Sequence, residues 1–168
     1  MTHPLHRILG TVLLAAAAGH AHAHVALLQK TAPAGSTLKA AFVVNQGCGV
    51  EPTKAIIVKL PDGIEKAQPM AKAGWLLTTR RVSGRVSEVA WRGGSLDAAH
   101  YDEFVIVLRV PDMPGKRYHF AVRQECDEAA IEWSDIPAAG KTARDLKTPA
   151  AELDVVPASA ADDGSHKH

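Results

Sequence analysis

Arg117-Tyr118-His119-Phe120-Ala121-Val122-Arg123-Gln124-Glu125 alternates side chains with a period of two. Tyr118, Phe120 and Val122 fall on one face of an extended chain, and His119, Ala121 and Arg123 fall on the other. One apolar face and one mixed face describe a half-buried β-strand. The same alternation places His119 outward or on a rim.

Similar short runs, rich in β-branched and aromatic residues, lie on both sides of this stretch. They predict strands over 24–29, 37–45, 54–60, 75–81, 86–91, 103–110, 117–125 and 129–134. The breaks between them carry turn chemistry: Pro33-Ala34-Gly35, Pro61-Asp62-Gly63, Ala73-Gly74, Gly93-Gly94 and Pro111-Asp112-Met113-Pro114-Gly115. No segment shows a long helical period flanked by caps. Many short strands without alternating helices predict an all-β, antiparallel Greek-key β-sandwich of immunoglobulin-like architecture rather than a parallel sheet. The expected organisation is a leader over 1–23, one sandwich domain over 24–156 and a flexible polar tail over 157–168, with no internal repeat.

The leader is read from its order of parts. His3, His6 and Arg7 precede an apolar run from Ile8 to Ala18, and Ala21-His22-Ala23 supplies small residues at the −3 and −1 positions of a cleavage site. That order is the signature of a secretory signal peptide. The run is about 11 residues long, against the roughly 20 of a spanning helix. Cleavage after Ala23 would start the working chain at His24. Cleavage after Ala21 is a second possibility and would expose His22-Ala23-His24.

The whole chain of 168 residues carries 19 Lys and Arg against 18 Asp and Glu. The leader contributes one Arg and no acid, so the remainder is balanced at 18 basic and 18 acidic residues. A balanced chain has no basic excess to hold a phosphate backbone, which argues against nucleic-acid or anionic-membrane partners. Cys48 and Cys126 both follow the leader. In the oxidising compartments that exported chains enter, such a pair closes into a disulfide, here a long-range staple. The alternative use is as thiolate copper ligands.

An N-terminal His24 offers two nitrogens on one residue, a free α-amine and an imidazole. Metal can displace the proton of the amine and close a small chelate ring through both. Such a donor set suits Cu(II), which heads the divalent affinity order and accepts tetragonal nitrogen and oxygen ligands. A terminus at His22 would also hold Cu(II) or Ni(II), but through deprotonated backbone amides. Other ligand types are scattered: Asp102 and Glu103 open a strand, Gln124 and Glu125 precede Cys126, and Glu132 and Trp133 close the last strand. Three methionines, one of them the initiator, are too few for a thioether basket. A blue-copper centre would need a free cysteine beside two histidines. His166 and His168 belong to the polar tail.

Several ordered motifs resemble one family. His24-Val25-Ala26-Leu27, Ala34-Gly35-Ser36, Asn45-Gln46-Gly47-Cys48 and Lys59-Leu60-Pro61-Asp62-Gly63-Ile64 look like the opening of the YcnI-like copper-binding domain. The likeness continues through Pro69-Met70-Ala71-Lys72-Ala73-Gly74-Trp75, Trp91-Arg92-Gly93-Gly94-Ser95-Leu96, Tyr101-Asp102-Glu103-Phe104, Pro111-Asp112-Met113-Pro114-Gly115, Gln124-Glu125-Cys126 and Ile131-Glu132-Trp133. It spans about residues 24 to 137. The resemblance implies a cupredoxin-like sandwich, exported or surface-held, that binds Cu(II) through a single-histidine brace. The brace maps onto the amine and imidazole of His24, and the family's tryptophan onto Trp133. Its acid maps onto Glu103, with Glu132 and Asp102 as substitutes. Some relatives carry a membrane-anchoring helix or a second copper-chaperone domain after this one, and neither is expected here. The chain is then expected to be periplasmic or secreted, with a copper ion and another exported copper-handling protein as its partners.

Two other functions compete with a non-enzymatic copper module. A copper oxygenase would need a second imidazole, and within the domain only His100 and His119 are available, His119 being the one on a strand. A metal-free interaction sandwich would keep the disulfide and the core and be indifferent to His24. No further catalytic constellation is evident, so the chain is not expected to be an enzyme.

Overall fold

The computed structural model describes residues 24–45 and 48–158. The leader, with both candidate cleavage sites, and residues 159–168 of the tail lie outside the described residues. Among the described residues, eleven strands follow in chain order: β1 Ala26–Leu27, β2 Thr31–Pro33, β3 Thr37–Val44, β4 Thr53–Lys59, β5 Ala67–Pro69, β6 Leu76–Val82, β7 Arg85–Leu96, β8 Asp102–Arg109, β9 Arg117–Glu125, β10 Ala130–Trp133 and β11 Ala151–Val156. One short 3₁₀ turn, Ala143–Asp145, sits between β10 and β11.

The strands form two sheets. The smaller has the order β1-β3-β8-β5, and the larger runs β2-β11-β9-β4-β7-β6 with β10 also paired to β9. Every named pairing is antiparallel except β11 with β2. The inner faces meet in one core. Phe42 of β3 lies edge-on to Phe120 of β9 at 5.5 Å between centroids, and Trp91 of β7 meets Phe104 of β8 at the same distance. Edge-to-face packing of this kind suits the aromatic quadrupole. The expected alternation in β9 holds: Tyr118, Phe120 and Val122 are buried, while His119 on the opposite face is partly exposed.

Three strands escape the sequence reading. β2 and β5 have three residues each and each ends in proline. Proline lacks the amide that a central strand needs, so such short runs carry little strand signal and suit an edge. β11 follows a stretch rich in Ala, Lys, Asp and Pro. It nevertheless alternates, with Ala151, Leu153 and Val155 buried. Gly93-Gly94, expected to break a strand, instead lies inside the twelve-residue β7. Gly94 is a packing gap: a Cβ there would fall 2.2 Å from atoms of the Trp75 indole.

Candidate metal centre

His24 immediately precedes the core. Val25 and Leu27 point inward and are buried, which anchors the chain just after His24 at the edge of the smaller sheet. On the other sheet, β10 pairs with β9 so that Trp133 stands opposite Val122 and is buried with it. The two elements bring His24 and Trp133 together, with ring centroids 6.0 Å apart and planes inclined at 63°.

Trp133 is held from behind. Its indole Nε1–H donates to Oε1 of Gln124 at 3.0 Å, and Nε2 of Gln124 donates to Oγ1 of Thr53 at 2.7 Å. Two residues beyond Gln124, Cys126 forms a disulfide with Cys48, with Cα atoms 6.2 Å apart. The expected staple is therefore present, and neither cysteine is available as a thiolate ligand.

The β9 ladder passes from β10 to β11 across the segment 134–150. The neck of that segment is tied by hydrogen bonds from the Ser134 and Asp135 amides to Thr148 O, and from the Ala150 amide to Asp135 O. The threonine hydroxyl of Thr148 also donates to the Asp135 carboxylate at 2.7 Å. The segment forms one wall of a cavity of about 530 Å³ whose lining includes His24, Ala26, Lys30, Arg144, Pro149 and Glu152. Glu152 stands opposite His119 in the β11–β9 ladder, with Oε1 3.4 Å from Nε2 of His119.

The acids named from sequence have other neighbours. Glu103 lies on the row Ala26–Val43–Glu103, two strands away from β1, or about 10 Å at the usual strand spacing. It accepts the Tyr101 hydroxyl at 2.7 Å, a bond that raises the phenol above its ordinary pKa. Asp102 pairs with Lys72 at 2.6 Å. Glu132 pairs with Arg123, which also bonds Glu125 at 3.0 Å. Among the described residues, no three His, Cys, Asp or Glu side chains converge in a metal-binding group. His100 lies in the turn between β7 and β8, its amide donating to Asp97 O at 2.9 Å.

The structure thus brings together His24 and Trp133, two residues named from sequence; Gln124 was named without a role, and Thr53 and Glu152 were not named. The signal for Glu152 was the alternation of β11, which turns Glu152 and Asp154 to the face carrying His119 and Arg117. Thr53 has no local signal, because its role depends on a side chain of a neighbouring strand.

The model of the family described as "Domain of unknown function (DUF1775)" matches residues 24–155. The copper-binding protein CutI of Bacillus subtilis (strain 168) is 26% identical over 133 residues, covering 76% of this chain and 62% of CutI. The chain therefore spans less than two thirds of that curated relative's length. The crystal structure of an uncharacterized protein from Nocardia farcinica, described as having an immunoglobulin-like fold, superposes with a TM-score of 0.68 at 21% identity. That match covers 79% of this chain and 98% of the other.

Proposed function

The chain belongs to the DUF1775 family, the YcnI-like domain, and on that premise we propose that it is an exported Cu(II)-binding protein whose cargo is held by His24 at the mature N-terminus. The observation that carries this reading is the placement of His24. It abuts the Trp133 indole, lines a cavity with a carboxylate, and is the residue at which the family match begins.

The donor set fits the ion. Cleavage after Ala23 supplies an α-amine beside the His24 imidazole, and these two nitrogens chelate Cu(II) in a small ring. Trp133 shields one side, and its ring face can interact with a cation. A carboxylate completes the set. The family resemblance points to Glu103, while the cavity wall offers Glu152. Two nitrogens and one carboxylate leave positions open around the ion. An open sphere suits buffering, or transfer to another exported protein, better than permanent storage. Both nitrogens must be deprotonated to bind, so affinity falls as the pH is lowered. A chain with no second imidazole in the brace is not proposed as an oxygenase.

The test begins with the N-terminal mass of the exported protein. Cu(II) is then titrated into a chain starting at His24 and into one carrying an additional residue before it. The extension blocks the amine chelate, so affinity is expected to fall at least a hundredfold, with a changed Cu(II) EPR spectrum. Equal affinity in the two chains would overturn the brace, and binding by neither would favour a metal-independent interaction module. Glu103→Gln and Glu152→Gln, measured on the His24 chain, then show which carboxylate is used.

A further inference from the structure

Among the described residues, only two polar side chains join the buried set, Thr53 and Gln124, and Gln124 is wholly buried. An amide inside an apolar core is unfavourable unless its hydrogen-bonding groups are met. A leucine or methionine would fill the same space without that demand. Gln124 therefore has to be explained by what its amide does.

Its polarity is set by its neighbours. An indole N–H can only donate, so it requires the carbonyl oxygen of Gln124 to face Trp133. The amide nitrogen then faces Thr53, whose hydroxyl oxygen accepts. The bonds measure 3.0 and 2.7 Å and run from β10 through β9 to β4. The disulfide at Cys126 closes the end of β9 two residues further on. Torsion about the Cβ–Cγ bond of a tryptophan is broad. Capture of the single polar atom of the indole selects one orientation, and that orientation sets the ring at 63° to His24.

We propose that Gln124 is the positioning residue of the copper site. It fixes the Trp133 indole through Nε1–H, Thr53 fixes Gln124, and the fixed indole sets the surroundings of His24. The consequence for copper rests on the function proposed above, whereas the consequence for the indole does not. The two are therefore measured separately.

The first measurement is made without metal, on ¹⁵N-labelled protein, using the indole N–H resonance that Trp133→Phe removes. Gln124→Met is expected to shift that resonance and speed its hydrogen exchange at least tenfold. Thr53→Val is expected to move it in the same direction by less. Gln124→Glu keeps an acceptor oxygen for the indole and should restore the parent signal. The second measurement titrates Cu(II) alone into the His24-initiated chains. Gln124→Met is expected to weaken binding three- to tenfold, reduce quenching of tryptophan emission and alter the EPR spectrum, with Gln124→Glu again closer to the parent.

An unchanged Trp133 resonance and an unchanged EPR spectrum in a folded Gln124→Met protein would overturn the proposal and leave Gln124 as core filling. If Gln124→Met does not fold, Thr53→Val decides by the same two readouts. A moved indole resonance in a parent chain that binds no Cu(II) would uphold the positioning of Trp133 and sink the copper reading instead.

Discussion

At the scale of single residues, close approach matters as much as chemistry. Gly94 has no side chain because Trp75 occupies the space a Cβ would need, at 2.2 Å. Trp75 in turn meets Phe104 edge-on at 4.9 Å, so it has little freedom to retreat. Gly94→Ala is therefore expected to destabilise the fold by about 1–3 kcal/mol, the usual cost of overpacking. Chemical denaturation measures it, and a Trp75→Leu background should recover most of the loss. Additive losses in the double variant would disprove the steric explanation. Sequence could single out His24 as a residue able to chelate at a free terminus and Trp133 as part of a motif. It could not show that their rings meet, because the contact joins the residue just before the first strand to the tenth strand. The Gln124–Thr53 bond was hidden for the same reason, since it links residues far apart in the chain.

At the scale of elements, periodicity predicted the strands whose repeating run is bounded by turn residues. β3, β4, β8 and β9 fall within a residue or two of the expected bounds, whereas β7 extends beyond its expected end through the paired glycines. β11 was lost because its flanks resemble a polar linker, although its own pattern is clear. That strand is tied to β9 on its outer face by Arg117, whose Nε and Nη2 donate to the two Asp154 carboxylate oxygens at 2.6 and 2.9 Å. This hydrogen-bonded pairing holds the Asp154 carboxyl below its ordinary pKa. A carboxylate with a depressed native pKa contributes stability that is fully present above its unfolded value, about 3.9. The contribution is lost as the pH falls through the lower native value. Both partners are substantially exposed, so the pair is worth no more than about 1 kcal/mol at neutral pH. Asp154→Asn should lower the melting temperature slightly at pH 7 and by progressively less between pH 4 and pH 2, ranges set by the carboxylate's titration. A difference that stayed constant across that interval would assign the loss to packing instead.

For the whole molecule, the disulfide joins the stability of the fold to the geometry of the site. Cys48 and Cys126 are separated by 78 positions, so the bridge closes a large part of the chain. In the chain-entropy account, closing so long a loop restricts the unfolded state strongly, and removing such a bridge costs about 2–5 kcal/mol. The bridge also lies two residues beyond Gln124, at the end of the strand that holds Trp133 from behind. Reduction should therefore have two effects of different origin. The melting temperature should fall, as calorimetry with and without reductant would record. Below that temperature, where the chain remains folded, the Trp133 indole N–H should exchange faster than amides of β3 and β8, which lie in the opposite sheet. A uniform acceleration across both sheets would mean that the bridge acts through global stability alone. A selective acceleration at Trp133 would mean that the same covalent link that stabilises the sandwich also keeps the Trp133 indole in register beside His24.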